Sequence, residues 1–382
     1  MRETNHAVIV DAIRIPIGRR KGVYSDTRSE HLLTHVIKGL VERAGLSQNS
    51  VDDVIVGCVT QNQEQGNNIG RIATLMSGLD QSTPSMTLNR KCISSQHAIH
   101  QAAQSILSED HDIVIAAGIE NMTRHPMGSD KVEEPKELTD LYEIVPQGES
   151  AERIAEIWGL NRNEMDEYSL RSHQLADQAT KNGDFQNEIL PIEVEVNGEK
   201  KNVTKDEGIR PETNVEKLGS LKTVFREDGK ITPGNSSQIS DGAAAVLVMS
   251  EEKAKELGLK PRAKIIARTL IGSDPTLMLT GPIEATKRVL KKANLTVEDI
   301  GYFECNEAFA PVVLSWMKEL NVPLDKVNVR GGAIALGHPT GASGARLMTT
   351  LVNILEDKNA KYGLQVMCAG GGMSAATIIE KV

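Results

Sequence analysis

Aromatic residues are scarce in this chain. Phe, Trp and Tyr make up only 3% of its 382 residues, which disfavours a base-stacking surface. Surplus positive charge is missing too: 43 Lys and Arg face 52 acidic residues, a formal charge of −9 spread along the chain. Nucleic acid is therefore not expected as a partner. No apolar run approaches the roughly 20 residues of a bilayer span, so no membrane partner is expected either. Cysteine pairs are absent. Cys58, Cys92, Cys305 and Cys368 lie far apart, with no CxxC and no Cys/His cluster at zinc-site spacing. Each is expected to be a free thiol in a reducing compartment. The opening MRETNHAVIV runs almost directly into a strand pattern, leaving no room for a signal peptide. The closing IIEKV carries no peroxisomal or ER address, and a cytoplasmic location is expected.

What is present is ordinary in bulk, 39% apolar and 25% charged, and the length suggests two or three domains. A repeat organises it. IKGLVERAGLSQNSVDDVIVGC (37–58) matches TKRVLKKANLTVEDIGYFEC (286–305): an amphipathic helix, a cap at Gly45 or Asn294, then a short strand reaching a cysteine. Upstream, HAVIVDAIR matches PRAKIIART. Downstream, MTLNRKCISSQHAIHQAAQSIL matches VNVRGGAIALGHPTGASGARLMTTLVNIL as strand, turn and helix. HDIVIAAGIENM matches YGLQVMCAGGGM. The chain reads as two tandem βαβαβ units of an α/β fold, expected to form mostly parallel sheets with helices on both faces. Ligands of such sheets sit beyond the strands' carboxyl ends, where every motif below falls. Residues 122–239 differ, with charged loops, a helical hairpin pattern and the alternating ILPIEVEV. They read as an insertion, after which GNSSQISDGAAAVLVMS returns to a turn, a helix start and a strand. The expected domains are 1–121 plus 240–260, 122–239, and 261–382.

NRKCISSQ places Cys92 at a strand-to-helix turn. A helix N-terminus lowers a thiol pKa, and Arg90 and Lys91 could add to this; a cysteine packed beneath the helix is the plainer alternative. His97 and His100 share a helix face, but no third ligand stands out and no metal is expected. GGAIALGHPTGASGARL (331–347) surrounds His338 with glycines that let backbone approach closely, yet lacks the Gly-Lys-Ser/Thr of a phosphate loop. CAGGGM (368–373) ends a strand with Cys368 and small residues whose N–H groups could form an oxyanion hole. CNEAFA (305–310) puts Asn306 and Glu307 at a strand end.

Together, NRKC with its following serines, NEAFA, GHPTGASGAR and CAGGGM resemble the thiolase family in order and over essentially the whole chain. The resemblance implies a five-layered α-β-α-β-α core carrying an inserted, CoA-binding loop domain. It implies Cys92 as the nucleophile acylated by an acyl-CoA, His338 as its base and Cys368 as a second acid/base. Asn306, through a water, and His338 would hold the thioester oxygen of acetyl-CoA. The N–H groups of Cys92 and Gly370 would hold the other oxyanion. Ser237, in GNSSQISDGA, matches the pantetheine loop, and Lys222 falls in a segment used near the CoA adenine. CoA and acyl-CoA thioesters would be substrates, with no permanently bound cofactor, and the assembly a homodimer or homotetramer. There are departures. Pro146-Gln147-Gly148 replaces His-Met-Gly, Ile-Ser-Ser follows the nucleophile instead of Gly-Ser-Gly, and GGGMS replaces GGGMG. These details resemble a branch that includes thiolases acting on bulky acyl chains. Two other readings are a ketoacyl-synthase-like condensing enzyme, disfavoured because Cys368 stands where a second histidine belongs, and a non-catalytic acyl-CoA-binding protein, disfavoured because Cys92, His338 and Cys368 are all present.

Overall fold

The computed structural model describes residues 6–382. The chain begins with β1 (Ala7–Arg14), β2 (Gly18–Arg19), α1 (Ser29–Arg43), β3 (Asp53–Gly57), α2 (Ile69–Met76), β4 (Ser85–Leu88), α3 (Ser94–Leu107) and β5 (Ile113–Asn121). Next come α4 (Lys136–Leu141), α5 (Gln147–Ile157), α6 (Arg162–Asn182), the hairpin β6 (Ile192–Val196) and β7 (Glu199–Val203), and α7 (Val215–Gly219). It continues through β8 (Ser240–Ser250), α8 (Glu251–Glu256), β9 (Ala263–Gly272), α9 (Gly281–Ala293), β10 (Tyr302–Cys305) and α10 (Ala310–Leu320). Last are α11 (Ala333–Leu336), α12 (Ser343–Asp357), β11 (Tyr362–Ala369) and β12 (Met373–Lys381).

The large sheet has the order β10-β11-β12-β9-β1-β8-β5-β3-β4, with β2 beside β8. Among the described residues, two pairs join its halves, Val8 with Lys264 and Ile9 with Ala263. Its strands are apolar on both faces and alternate between two cores. Along β5, Ile113, Ile115, Ala117 and Ile119 pack under α1, while Val114 and Ala116 face α3 and α12. On the other half, α9 and α10 cover the outer face with Val289, Val312, Val313 and Trp316. The result is five layers, helix-sheet-helix-sheet-helix, with α3 and α12 in the middle. Residues Ser343–Leu355 of α12 are all buried, as expected of a helix that packs on every side.

Three expectations need correction. The sheet is mixed rather than mostly parallel: β3–β4, β3–β5 and β10–β11 are parallel, while β8 and β12 insert antiparallel between their neighbours. For β12 the cause is local, because β11 turns straight back into it through Gly370–Gly372, and Gly371 and Gly372 take positive φ. VNVR forms no strand, only isolated bridges at Val327 and Val329. No helix precedes β8; the 236–239 turn enters the strand directly.

The two central helices meet at their N-termini on bare backbone. A Cβ on Gly344 would lie 2.2 Å from the Gln96 nitrogen, and one on Gly341 2.3 Å from the Ile119 oxygen. Gly118 and Gly57 face similar contacts at 2.3 and 2.4 Å.

Candidate active site

Cys92 lies in the turn between β4 and α3. Lys91 adopts φ 49, and its N–H is caught by Asn89 Oδ1 at 2.9 Å. Ser94 Oγ accepts from Arg90 N and donates to the Lys91 carbonyl. This knot turns Cys92 inward to 7% exposure, among Ile93, Leu347, Met367 and Ala369. Burial pushes the thiol up to about 11, against the lowering effects of the Gly370 N–H, its own N–H and, last, Lys91. The expectation of a thiol activated by its helix end is therefore corrected. Desolvation by the second half of the chain outweighs it, and Arg90 acts on His97 and His100 instead. Those two histidines bond Gln101 and Thr377.

His338 sits in the loop between α11 and α12. Its Nδ1 lies 2.6 Å from Ser343 Oγ, which itself donates to the Pro339 carbonyl. Nδ1 must then carry the hydrogen, leaving Nε2 as the basic nitrogen. Asn306 Nδ2 is 3.3 Å from Nε2, and Asn306 Oδ1 is buried without a partner. Burial, helped by the Arg346 cation, lowers His338 to about 3. Arg346 is itself buried, 3.4 Å from Glu304, whose carboxyl burial lifts to about 8. Cys368, near the end of β11, is held above the usual thiol range by burial and then by Cys92. The two thiols come from different halves and lie in one neighbourhood, since Cys92 packs on Met367 and Ala369 on either side of Cys368.

Two buried carboxylates fasten these loops. Glu120 accepts from Val59 N, Thr60 N and Gln65 on its own half, and from Thr340 Oγ1 and Gly341 N beside His338, at 2.9–3.1 Å. Glu307 accepts from Tyr168, Ser172, Asn328 and Ile334 N at 2.7–3.0 Å. It thereby ties the NEAFA loop to α6 and α11. Sequence reasoning missed both roles, although a lone Glu in the apolar run IVIAAGIEN is a readable signal of a satisfied buried charge. It also missed Ser343, whose signal was its place five residues after His338.

A cleft of about 400 Å³ opens between α6, α7 and the 233–238 loop, lined by His173, Arg210, Lys217, Gly234, Gln238 and Ile334 among others. Gln238 accepts from the His338 N–H, so the cleft ends at the histidine loop. Arg210 and Lys217 make its outer part suited to an anion; sequence reasoning passed over both. Ser237 lies beside it, with its N–H on the Ala308 carbonyl of the NEAFA loop. Lys222 is exposed and not drawn to the thiols. A larger hollow of about 650 Å³, lined by Arg171, Tyr302 and Arg330, holds none of the residues predicted for the site.

Family profiles match almost the whole chain: thiolase, N-terminal domain, over residues 7–252, and thiolase, C-terminal domain, over 259–381. The chain is 46% identical over 386 residues to a 3-ketoacyl-CoA thiolase of Pseudoalteromonas translucida, covering 99% of each. It is 44% identical to the Enterobacter sp. 3-ketoacyl-CoA thiolase, covering 98% of this chain and 99% of the relative. Among solved structures it is similar to the Bacillus anthracis acetyl-CoA acetyltransferase, with TM-score 0.92, 35% identity and full coverage of both chains. Human mitochondrial 3-ketoacyl-CoA thiolase gives the same score and identity over 99% of each chain.

Proposed function

The chain belongs to the thiolase family, and on that premise we propose that it cleaves 3-ketoacyl-CoA with CoA, reversibly, through an acyl group carried on Cys92. What carries this reading is that two buried thiols meet where the halves join: Cys92 of the first half packs on Met367 and Ala369, the residues flanking Cys368 in the second.

At rest Cys92 is a thiol and His338 a neutral imidazole, so the proton moves only as the bond forms. His338 Nε2 takes it while the sulfur attacks C3 of the substrate. The C3 oxyanion falls to the N–H groups of Cys92 and Gly370. Collapse breaks C2–C3, and the electron pair passes to C2 as the enolate of acetyl-CoA. Its oxygen is held by the new Nε2–H of His338 and by a water accepted by the open Asn306 Oδ1. Cys368 gives its proton to C2, and acetyl-CoA leaves. Incoming CoA returns a proton to Cys368 and attacks the acyl carbon, and Cys92 departs with the proton stored on His338. A thiolate at Cys368, unfavourable in its buried place, is a strong base for that second step.

Residues 122–239 form, in this proposal, the CoA-binding insertion, with Ser237 by the pantetheine arm and the Arg210–Lys217 cleft taking the anionic end; Lys222 lies further out. CoA enters as substrate. A cytoplasmic homodimer or homotetramer belongs to the same reading. Four buried free thiols fit a reducing compartment, and β4 leaves a sheet edge with Met86 exposed. In the test, the protein is mixed with acetoacetyl-CoA, quenched and weighed intact. An acetyl adduct mapping to Cys92 is expected, lost in Cys92→Ser. Cys368→Ala should still acylate from acetyl-CoA but lose exchange of the C2 hydrogens with deuterated water. Near-normal turnover by Cys92→Ser would sink the assignment.

A further inference from the structure

Gln147 opens α5 directly after Pro146. A Cβ on Gly370 would lie 2.7 Å from the Gln147 Nε2, so this amide rests against the bare Cα of the residue whose N–H reaches Cys92. It is half-buried, and neither amide atom has a hydrogen-bond partner among the described residues. Its position is clamped. Gly148 lies flat on the Phe225 ring, which a Cβ would meet at 2.2 Å, and Phe225 stands edge-on to Phe309 at 6.1 Å. Glu149 is bridged by Arg153 and Arg226, and Glu152 accepts from the N–H groups of Lys230 and Ile231. The chain therefore presents an unpaired amide, carried on a clamped backbone, beside a nucleophile otherwise surrounded by Ile93, Leu347, Met367 and Met373.

We propose that Gln147 is a specificity-determining residue: its amide hydrogen-bonds an oxygen on the acyl chain beyond the reacting carbonyl, favouring oxygen-bearing 3-ketoacyl groups over plain hydrocarbon ones. A hydrocarbon chain seated there strips water from the amide and returns nothing, which is unfavourable. A hydroxyl or keto group supplies the missing partner, and sites that lose such a partner discriminate more sharply than sites that lose a methylene. The inference rests on the acyl-transfer reading above.

The test compares kcat/KM for 5-hydroxy-3-ketohexanoyl-CoA and 3-ketohexanoyl-CoA, which differ only in the hydroxyl. The natural chain is expected to favour the hydroxylated substrate by about tenfold or more, and Gln147→Met to bring the ratio near one. Gln147→Glu keeps an acceptor and should keep the preference while slowing both reactions. Gln147→Ala gives the same comparison should the methionine variant not fold. A ratio near one in the natural chain, or one unmoved by removing the amide, overturns the proposal and leaves acyl transfer standing. Turnover of neither substrate, with no adduct on Cys92, defeats both.

Discussion

Protonation at the two central side chains is decided by burial. Cys92 is lifted to about 11 and His338 lowered to about 3, so across neutral pH neither is charged and no thiolate–imidazolium pair stands ready. The sign is clear: raising pH increases the thiolate fraction up to about 11, and His338 adds no step above about 3. Iodoacetamide labelling of Cys92, followed by peptide mass spectrometry, should therefore climb roughly tenfold per unit from pH 7 to 9.5. A plateau between pH 6 and 8 would reveal an activated thiolate and contradict the neutral resting pair. The sequence singled out Cys92, His338, Cys368 and Asn306 because each sits in a motif of small and polar residues; three of the motifs end strands, while that of His338 lies between α11 and α12. It misled on the thiol's acidity because the desolvating side chains, Leu347 and Met367 among them, belong to the other half of the chain.

At the level of elements, the loops of His338 and Asn306 are set by buried carboxylates, whereas that of Cys92 is set by its own turn. Glu307 joins β10, α6 and α11 through four donors. Glu307→Ala leaves the hydroxyls of Tyr168 and Ser172 and the Ile334 N–H without their acceptor, although Asn328 keeps the Cys305 carbonyl, and should destabilise the fold by about 3 kcal/mol or more. Urea unfolding followed by circular dichroism measures this; a loss under about 1 kcal/mol would mean water replaces the carboxylate. The paired β–α–β units were legible in the sequence because helix caps such as Asn294 and short apolar strands recur in step. Strand direction was not. A strand buried on both faces, like β8 or β12, shows the same unbroken apolar run whether its neighbours run with it or against it. VNVR looked like a strand by composition but pairs only at Val327 and Val329.

For the whole molecule, the middle layer decides what can exist alone. Among the described residues the halves share two strand pairs, between β1 and β9, yet α12, buried along Ser343–Leu355, packs its apolar sides against both. Residues 259–382 expressed alone should therefore be insoluble or molten, and should gain native circular dichroism only when co-expressed with 1–258. A stable, cooperatively melting C-terminal fragment would count against that dependence. The glycine crossing of α3 and α12 carries a further consequence, for heredity. Where Gly344 meets the Gln96 nitrogen and Gly341 the Ile119 carbonyl, there is no room for even one methyl group. The distance between nucleophile and histidine loop is written in main chain, beyond the reach of gradual side-chain change. Descendants of this gene can explore new substrates through side chains such as Gln147, Leu347 and Met367, which can change without moving that backbone.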